Sequence, residues 1–402
     1  MDHASFILEF FGYALMAFVV FLILEKPFIE ALEKYGFRQK IREKAVDGKS
    51  AKNFRKLHKK KEGTPTGGGM IIVASILIVI LFSRLLSLLG IIDQSILQRG
   101  EVYIPLFTLF TVGVLGAIDD WWNVRGIGKK KGIEAGPKFL FLIIFALIGS
   151  MWFFYKLEYT EISIPIYGKI EIGDIMTISI PSDEVPTQEM EESCSAIKNA
   201  SQEVKEENLD LIKKCKKYDD FKIPLFFFLF FVFVVVGTAN AVNVTDGLDG
   251  LAGGLLIQNY GIFAALSFLR EQYFLAIFCG IIIACLLGFL WFNVPPAKFF
   301  MGDAGSLSLG ATLAVIAIMT DTVAILPVIG FMFVVETISV IIQLSSKKYF
   351  KKKVFLIAPI HHHFEKLGWS EPQIVMRFWI INGLFAVCGF ILELWDINMV
   401  NG

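Results

Sequence analysis

The chain has 402 residues, of which 55% are hydrophobic and 19% are charged, and 39 residues are Phe. Soluble domains carry about 25% charged residues, so this composition predicts a chain dissolved largely in lipid, without a separate soluble domain of useful size. The formal net charge is zero, which argues against nucleic acid as a bulk partner.

Ten apolar runs are long enough to cross a membrane as helices, since a span needs about 20 mainly apolar residues. No small-residue cleavage site follows the first run, so we interpret it as a helix and not as a signal peptide. The eighth and ninth runs are divided only by residues 320–322, and one long tilted helix is the alternative there. The ten runs lie at about residues 6–25, 70–90, 103–118, 139–156, 223–242, 251–269, 273–292, 305–320, 322–344 and 374–395.

Loop charge decides between ten spans and nine. The segment 26–67 holds thirteen Lys and Arg against five acids, and the segments 121–138 and 345–373 are also basic. The positive-inside rule makes all three cytoplasmic, which ten spans permit and nine do not. We therefore expect an all-α polytopic membrane protein with both termini outside, divided into 1–157 (helices 1–4), an extracytoplasmic insert 158–222, and 223–402 (helices 5–10).

The insert is acidic and contains two sequence patterns. Alternating Ile residues around Gly168 predict a small β-hairpin over 161–172, and Pro165 confines it to an edge. The segment from about 189 to 217 is charged and helix-prone. It contains Cys194 and Cys215, for which a disulfide and two free thiols are both open. The other cysteines lie in apolar runs, as packing residues: Cys279, Cys285 and Cys388.

Five polar segments fall at predicted cytoplasmic helix ends or loops. The first, 58–69, combines lysines with a Gly run that lets the backbone approach an anion, although alone it could be a basic turn. The second is Asp119-Asp120 at the end of the third span. Adjacent helical residues point about 100° apart, so we expect only one of the two to face a shared centre. A simply hydrated helix end is the alternative.

The third and fourth segments are rich in Asn and Asp. In Asn240 to Gly250, Asp246 and Asp249 would share a face if the stretch after Asn243 is helical. An EF-hand is excluded, because an apolar stretch follows where that loop needs a late Glu. In 293–306, Asp303 and Ser306 open the next helix, either as a simple N-cap or as part of a phosphate site.

The fifth segment, 358–365, contains three of the five histidines. Adjacent residues converge poorly on zinc, whereas imidazoles beside a Lys-rich loop suit phosphate oxygens. Glu336 lies inside the ninth predicted span, where an ionisable group is a functional candidate or half of a buried pair with Lys or His.

Together these segments are rich in the oxygen ligands that Mg²⁺ prefers, with Lys and His beside them. That combination indicates phosphoryl transfer, in which positioning and charge neutralisation supply most of the rate. A location at the membrane face indicates one lipid substrate and one soluble substrate. The oxygen-bearing residues are Asp119, Asp120, Asp246, Asp249, Asp303, Asn243 and Asn293.

The chain resembles the phospho-N-acetylmuramoyl-pentapeptide transferases, within the polyprenyl-phosphate N-acetylhexosamine-1-phosphate transferase superfamily. The resemblance covers the chain except 158–222, and the last motif, with 368–373, favours the muramoyl-pentapeptide branch over the N-acetylglucosamine branch. The motifs are Gly63-Thr-Pro-Thr66, Asn240 to Gly250, Phe300-Met-Gly-Asp303 and Ala358-Pro-Ile-His-His-His-Phe-Glu365.

The resemblance implies a homodimer in the cytoplasmic membrane, in contact with membrane lipid and with a cytoplasmic Mg²⁺ site. It also implies transfer of phospho-MurNAc-pentapeptide from UDP-MurNAc-pentapeptide to undecaprenyl phosphate, giving lipid I and UMP. Two departures stand out: Gly67 replaces a frequent Met, which would loosen that turn, and the insert is unusually long.

Site roles follow from the resemblance. The implied catalytic residues are Asp119, Asp120, Asp246, Asp303 and His361, with Asp303 and Asp246 at the metal. The implied substrate-binding residues are Lys61, Thr66, Lys138, Asn240, Asn243, Gly247, Leu248, Asp249, Asn293, Phe300, His362 and His363. Among these, the uridine pocket comprises Lys61, Gly247, Leu248, Asp249, Asn293 and Phe300, with the ring of Phe300 stacked on uracil.

Alternatives remain in mechanism and in function. The lipid phosphate could attack the nucleotide β-phosphate directly, which we prefer because a dianion needs little deprotonation, or an Asp could attack first. The enzyme could instead transfer GlcNAc-1-phosphate. A transporter or flippase of an anionic lipid or nucleotide would place its polar residues near the bilayer midplane, often in symmetric halves, and the sequence shows neither feature apart from Glu336.

Overall fold

The computed structural model describes part of the chain, and the predictions for Lys59-Lys60, for Lys129 to Lys131 and for much of 189–217 lie outside it. The described residues are 3–38, 61, 63–127, 133, 135–180, 188–198, 208, 211, 215 and 221–401.

Before the insert, the described residues form four long helices: α1 (His3–Lys34), α2 (Gly68–Leu88), α3 (Gly100–Arg125) and α4 (Ala135–Leu157). All are strongly apolar, as expected for helices in lipid, where each backbone polar group must be satisfied within its own segment. Helix α3 ends at Gly126, whose φ of 70° provides the left-handed C-cap. The Asp119-Asp120 pair therefore lies about two turns before the end of this helix.

The elements bounded within the described residues of the insert are, in order, β1 (Glu161–Ile164), β2 (Gly168–Glu171), β3 (Thr177–Ile180), α5 (Gln188–Lys198) and β4 (Phe221–Pro224). Strands β1 and β2 pair, which confirms the predicted hairpin. Strand β3 pairs antiparallel with β4. Cys194 and Cys215 form a disulfide, so the alternative of two free thiols is wrong.

Eight further helices follow the insert, and the run 305–344 is interrupted twice. Helix α9 ends at Met319, and Asp321 then takes a φ of 49°, which no helix accommodates. A second break falls at Gly330, so the single long helix considered above is wrong. The helices are α6 (Leu225–Thr245), α7 (Leu251–Leu269), α8 (Tyr273–Asn293), α9 (Asp303–Met319), α10 (Leu326–Ile329), α11 (Phe331–Tyr349), α12 (Ile360–Lys366) and α13 (Glu371–Asn401).

Eight helices in the described part of the chain are long and apolar enough to cross a membrane: α1 to α4, α6 to α8 and α13. Helix α9 is apolar but has 17 residues. The chain is thus an all-α multi-pass membrane protein, while the count of ten spans and the external termini stay predictions.

The chain forms two compact units. Unit 1 comprises Met1–Ala146, Ile162–Ile170 and Val232–Gly402, and unit 2 comprises Leu147–Glu161 and Glu171–Phe231. The core of unit 1 includes α8 and α9, which are buried along most of their length. Unit 2 is built around Phe rings such as Phe153 and Phe231, whose centres are 5.1 Å apart. The domain boundaries expected at 157 and 222 stay a prediction.

In unit 1, the first turn of α9 lies directly against the backbone of two neighbouring helices. A Cβ on Gly69 of α2 would overlap the main chain of Gly305, and a Cβ on Gly116 of α3 would overlap the carbonyl group of Asp303. Because glycine has no Cβ, these three backbones can meet. The start of α9 is therefore positioned by main-chain packing.

Candidate active site

The first turn of α9 is capped by a carboxylate from α3. Asp120 accepts hydrogen bonds from the backbone N–H of Asp303 at 3.0 Å and from that of Ala304 at 3.1 Å. Helix N-terminal amides have no partner within their helix, and the positive end of the helix dipole favours an anion there. The protein's own carboxylate thus occupies the amides that could have bound a phosphate.

The neighbouring acid reaches the same place through a lysine. Lys138 Nζ bonds Asp119 Oδ2 at 2.8 Å and also contacts Asp303 Oδ2. Asp119 Oδ1 accepts a hydrogen bond from the backbone N–H of Ile133 at 2.6 Å. The expectation that one acid of the pair would face the shared centre is wrong, because the long Lys138 side chain brings Asp119 to the start of α9 as well.

The carboxylate of Asp303 is engaged on both oxygens. Asn243 Nδ2 donates to Asp303 Oδ1 at 2.7 Å and to Ser306 Oγ at 2.8 Å, while Lys138 contacts Oδ2. The N-cap position of α9 belongs to Gly302. Asp303 is therefore not a simple N-cap, and its carboxylate is oriented by groups from α4 and α6.

Asp246 follows the end of α6 and lies in a turn. Helix α6 ends at Thr245, and the chain is non-helical until Gly250, so the condition for a shared helical face of Asp246 and Asp249 is not met. Burial, followed by repulsion from Asp303, raises the pKa of Asp246 to about 7, although a hydrogen bond with the Gly302 backbone opposes this. Removal from water and the nearby negative charge of Asp303 thus both disfavour the ionised form of Asp246.

A second charged cluster joins three distant segments. Lys61 Nζ lies 2.6 Å from Asp249 Oδ1 and 2.5 Å from Glu371 Oε1, and this Glu oxygen also accepts the N–H of Asp249 at 2.7 Å. Burial alone would lower the pKa of Lys61, but the carboxylates of Glu371 and Asp249 raise it above its ordinary value. Lys61 is therefore held as a cation in a fixed position.

Two further residues of the predicted uridine pocket, Phe300 and Asn293, lie beside this cluster. The Phe300 backbone accepts from Gly68 N–H at 2.7 Å and donates to the Pro65 carbonyl at 2.9 Å, and its ring centre lies 5.8 Å from Lys61 Nζ. The Asn293 side chain accepts from Gly250 N–H and donates to the Phe299 carbonyl, both at 2.8 Å. Asn293 therefore joins the two turns.

The three adjacent histidines take three different partners. His361 Nδ1 lies 3.0 Å from Glu336 Oε2, and His362 Nδ1 lies 2.5 Å from Glu365 Oε2. His363 Nδ1 accepts the Leu356 N–H at 3.2 Å. The rings do not converge on one point, and Glu336 forms the buried pair that was one of its two alternatives.

Four further predicted residues have local contacts. Asn240 Nδ2 donates to the Val236 carbonyl of its own helix at 2.8 Å, and Thr66 forms a backbone bridge with Phe300. Leu248 is buried, and Gly247 lies against the ring of His361.

Glu371 was not among the predicted site residues, although the segment 368–373 that contains it favours the muramoyl-pentapeptide branch of the family. Glu371 opens α13, where an acid also suits the helix dipole, so its sequence position gave no sign of the contact with Lys61. Gly67 is the N-cap of α2 and has a φ of 98°, a conformation that favours glycine; the expectation that it loosens this turn stays a prediction.

Comparison with known proteins identifies the family. The model of Glycosyl transferase family 4 matches residues 195–321. The phospho-N-acetylmuramoyl-pentapeptide-transferase of Geobacillus thermodenitrificans is 34% identical over 94% of this chain and 96% of its own length. Those of Anoxybacillus flavithermus and Bacillus subtilis are 35% and 33% identical over 94% and 95% of this chain, and 96% and 97% of their own lengths. The chain belongs to the phospho-N-acetylmuramoyl-pentapeptide-transferase family. The resemblance drawn from the motifs is confirmed, and with it the prediction of a transferase.

Proposed function

We propose that this chain transfers phospho-MurNAc-pentapeptide from UDP-MurNAc-pentapeptide to undecaprenyl phosphate, forming lipid I and releasing UMP. Relatives that are named as this transferase align with the chain over nearly their whole length. The observation that carries the proposal is the convergence of Asp119, Lys138 and Asp303 at the start of α9. Here one ammonium group lies between two carboxylates. A substrate phosphate could replace a carboxylate as the partner of Lys138, and a metal ion could replace Lys138 as the partner of a carboxylate.

We place this chemistry at the cytoplasmic face of the cytoplasmic membrane, because the segments that carry the site adjoin the basic segments 26–67, 121–138 and 345–373. The homodimer implied by the family is part of the proposal, as is contact with membrane lipid.

The nucleotide would bind at the cluster of Lys61, Asp249 and Phe300. Lys61 is a fixed cation for a phosphate or a uracil carbonyl, and Asp249 can accept from the uracil N–H. Phe300 is half-buried, so one part of its ring is open to stacking. Asn293 and Glu371 hold this cluster in shape through the hydrogen bonds described above.

An apolar groove beside Lys138 supports the lipid acceptor. The groove has a volume of about 190 Å³, and its lining residues come from α3 and α4: Phe110, Thr111, Val114, Leu115, Ile118 and Phe141. An apolar cavity of about 150 Å³ holds a benzene molecule, so this groove accommodates a prenyl-sized group. Ile118 directly precedes Asp119, and Phe141 lies one turn after Lys138. A prenyl chain in the groove would bring its phosphate to the Lys138 ammonium.

Mg²⁺ fits the carboxylates of Asp303 and Asp246. In the described part of the chain, no three His, Cys, Asp or Glu side chains form a metal cage by themselves. Mg²⁺ does not need one, since it is usually held by one or two carboxylates together with substrate phosphates. The pKa of Asp246 is raised mainly by burial and then by repulsion from Asp303, and a divalent cation beside this carboxylate would favour its ionised form. The ion would neutralise the phosphate charge during transfer.

For the reaction we favour direct attack. An oxygen of the lipid phosphate forms a bond to the β-phosphorus of the nucleotide, the bond from that phosphorus to the bridging oxygen breaks, and UMP leaves with this oxygen. Asp119 and Lys138 orient the attacking phosphate, with Asp119 available as a base. In the alternative, an Asp attacks first, and a phospho-Asp trapped in a single turnover would overturn direct attack.

The decisive experiment supplies the purified protein with undecaprenyl phosphate, Mg²⁺ and one UDP-sugar, and measures UMP. We expect release with UDP-MurNAc-pentapeptide and none with UDP-GlcNAc. Release with UDP-GlcNAc alone would assign the chain to GlcNAc-1-phosphate transfer. Absence of UMP with both, together with uptake of labelled lipid or nucleotide across vesicles, would support a transporter instead.

A further inference from the structure

Glu336 and His361 form a carboxylate–imidazole pair that is fully buried in unit 1. Glu336 lies in the second turn of α11 and His361 in the first turn of α12, and both side chains are 0% exposed. Glu336 Oε2 is 3.0 Å from His361 Nδ1. Among the described residues, neither the other carboxylate oxygen of Glu336 nor Nε2 of His361 has a hydrogen-bond partner.

Nε2 of His361 faces the turn that carries Asp246. A Cβ built on Gly247 would lie 2.5 Å from this nitrogen, so the ring lies directly over the backbone of Gly247. A buried nitrogen without a partner is costly, and a role in catalysis is one of the explanations for such a group in a native protein. The free nitrogen is therefore directed at the candidate active site, while the bonded one is directed away from it.

A carboxylate can only accept a hydrogen bond, so Nδ1 of His361 must carry the proton. In a neutral imidazole the other nitrogen, Nε2, is then an acceptor. The carboxylate thus fixes both the rotation of the ring and its tautomer, as the buried Asp does for the His of a serine-protease triad.

We propose that Glu336 is a positioning residue for the transfer reaction. It holds His361 as the tautomer protonated on Nδ1, so that Nε2 accepts a hydrogen bond from an O–H or N–H of the amino-sugar portion of the nucleotide substrate. This inference rests on the proposed function, since it concerns the same site.

The test is Glu336→Gln, because glutamine has nearly the same shape but no longer dictates which imidazole nitrogen carries the proton. Loss of the partner that orients a metal-bound imidazole costs about 10–100-fold in activity, and we take the same range for this imidazole. We expect kcat for UMP release to fall by about this factor, with the nucleotide KM within about threefold. Glu336→Asp keeps a carboxylate and should recover part of kcat.

The matched control is Glu393→Gln, which removes another carboxylate that is 1% exposed and paired, in this case with Arg270. This change should lower Tm without lowering kcat of the folded protein. A drop in kcat after Glu393→Gln as large as that after Glu336→Gln would reduce the role of Glu336 to stability and overturn the proposal.

Nitrogen-15 NMR of His-labelled protein reads the tautomer directly, and His361→Gln assigns the signal among the five histidines. We expect Nδ1 protonated in the wild type and loss of this preference in Glu336→Gln. A signal protonated on Nε2 in the wild type, or a kcat of Glu336→Gln within about twofold of wild type, would overturn the proposal. Failure of the wild type to release UMP would instead reject the proposed function.

Discussion

The candidate active site in unit 1 and the insert strands in unit 2 both contain paired charges, but the pairs differ in burial and in number of partners. Lys138 is 20% exposed and contacts two carboxylates, whereas Lys222 is 51% exposed and contacts Asp174, itself 70% exposed, at 3.2 Å. Exposed pairs contribute about 0–1 kcal/mol, while a buried charge that loses its partner is strongly destabilising. Charge is thus a guide to function in this protein only where it is buried and shared.

The two regions also differ in what fixes their geometry. In unit 1 the start of α9 is positioned by glycine contacts and by the Asp120 cap. In unit 2 the described strands pair antiparallel, and a disulfide links residues 194 and 215. Changes of equal chemical size should therefore have very different effects on activity in the two regions.

The largest effect is expected for Asp303→Asn. This change removes the charge of a proposed Mg²⁺ ligand but keeps its shape, so UMP release should fall by about 10³-fold, while Tm stays close to wild type. Asp174→Asn in unit 2 is the control and should retain full activity. Near-normal release by Asp303→Asn would remove this residue from the metal site and would weaken the contrast between the two regions.

Lys138→Met should follow, with a decrease in turnover of about 10²-fold. The change removes the cation between Asp119 and Asp303 and leaves two carboxylates facing each other, so Tm should fall as well. Turnover and the KM for the lipid acceptor are measured together. Lys222→Met, which breaks the exposed pair, should change neither; equal losses in the two variants would contradict the distinction drawn above.

Glu371→Gln should have a smaller effect, directed at the nucleotide. Hydrogen bonds to charged groups contribute about 1.5–3 kcal/mol, and loss of the Lys61 contact should raise the KM for UDP-MurNAc-pentapeptide about tenfold with kcat nearly unchanged. Steady-state kinetics with the nucleotide as the varied substrate measure this. A lower kcat with an unchanged KM would place Glu371 at the chemical step and not at nucleotide binding.

The smallest effect on activity is expected for the double change Cys194→Ser and Cys215→Ser. Opening a loop of this length costs about 3 kcal/mol of local stability, so protease should cleave the insert faster. UMP release should remain within about twofold of wild type. A large loss of activity would show that the order of the insert supports the reaction, and the contrast between the two regions would fail.

Local patterns made part of this structure predictable. The alternating Ile residues predicted the β-hairpin. The clustered Asp, Asn and His residues indicated which segments would contribute to the site. Each of these signals lies within about a dozen neighbouring residues, where the period of a strand or the composition of a turn can be read directly.

Contacts between distant residues could not be predicted. Asp120 and Asp303 are 183 positions apart, and Lys61 and Glu371 are 310 apart, so no periodicity links them. The i, i+3 spacing of Asp246 and Asp249 left open whether the stretch after Asn243 is helical, and the spacing alone could not exclude a turn. The break at residues 320–322 was predicted from its polar residues, but the break at Gly330 was missed, since hydropathy is continuous there while the backbone is not.

The contact between Gly69 and Gly305 has a consequence for the evolution of this enzyme. A pocket lined by side chains can be reshaped by substitutions that compensate each other in volume. Where two backbones are in contact at glycines, no side chain can be made smaller, and any larger residue would overlap the neighbouring main chain. Selection for resistance to an inhibitor that reaches the Asp303 carboxylate therefore has few routes through this helix junction. Escape variants should arise instead in the surrounding turns, at side chains such as Phe300 and Glu371, where resistance would be accompanied by weaker binding of the nucleotide.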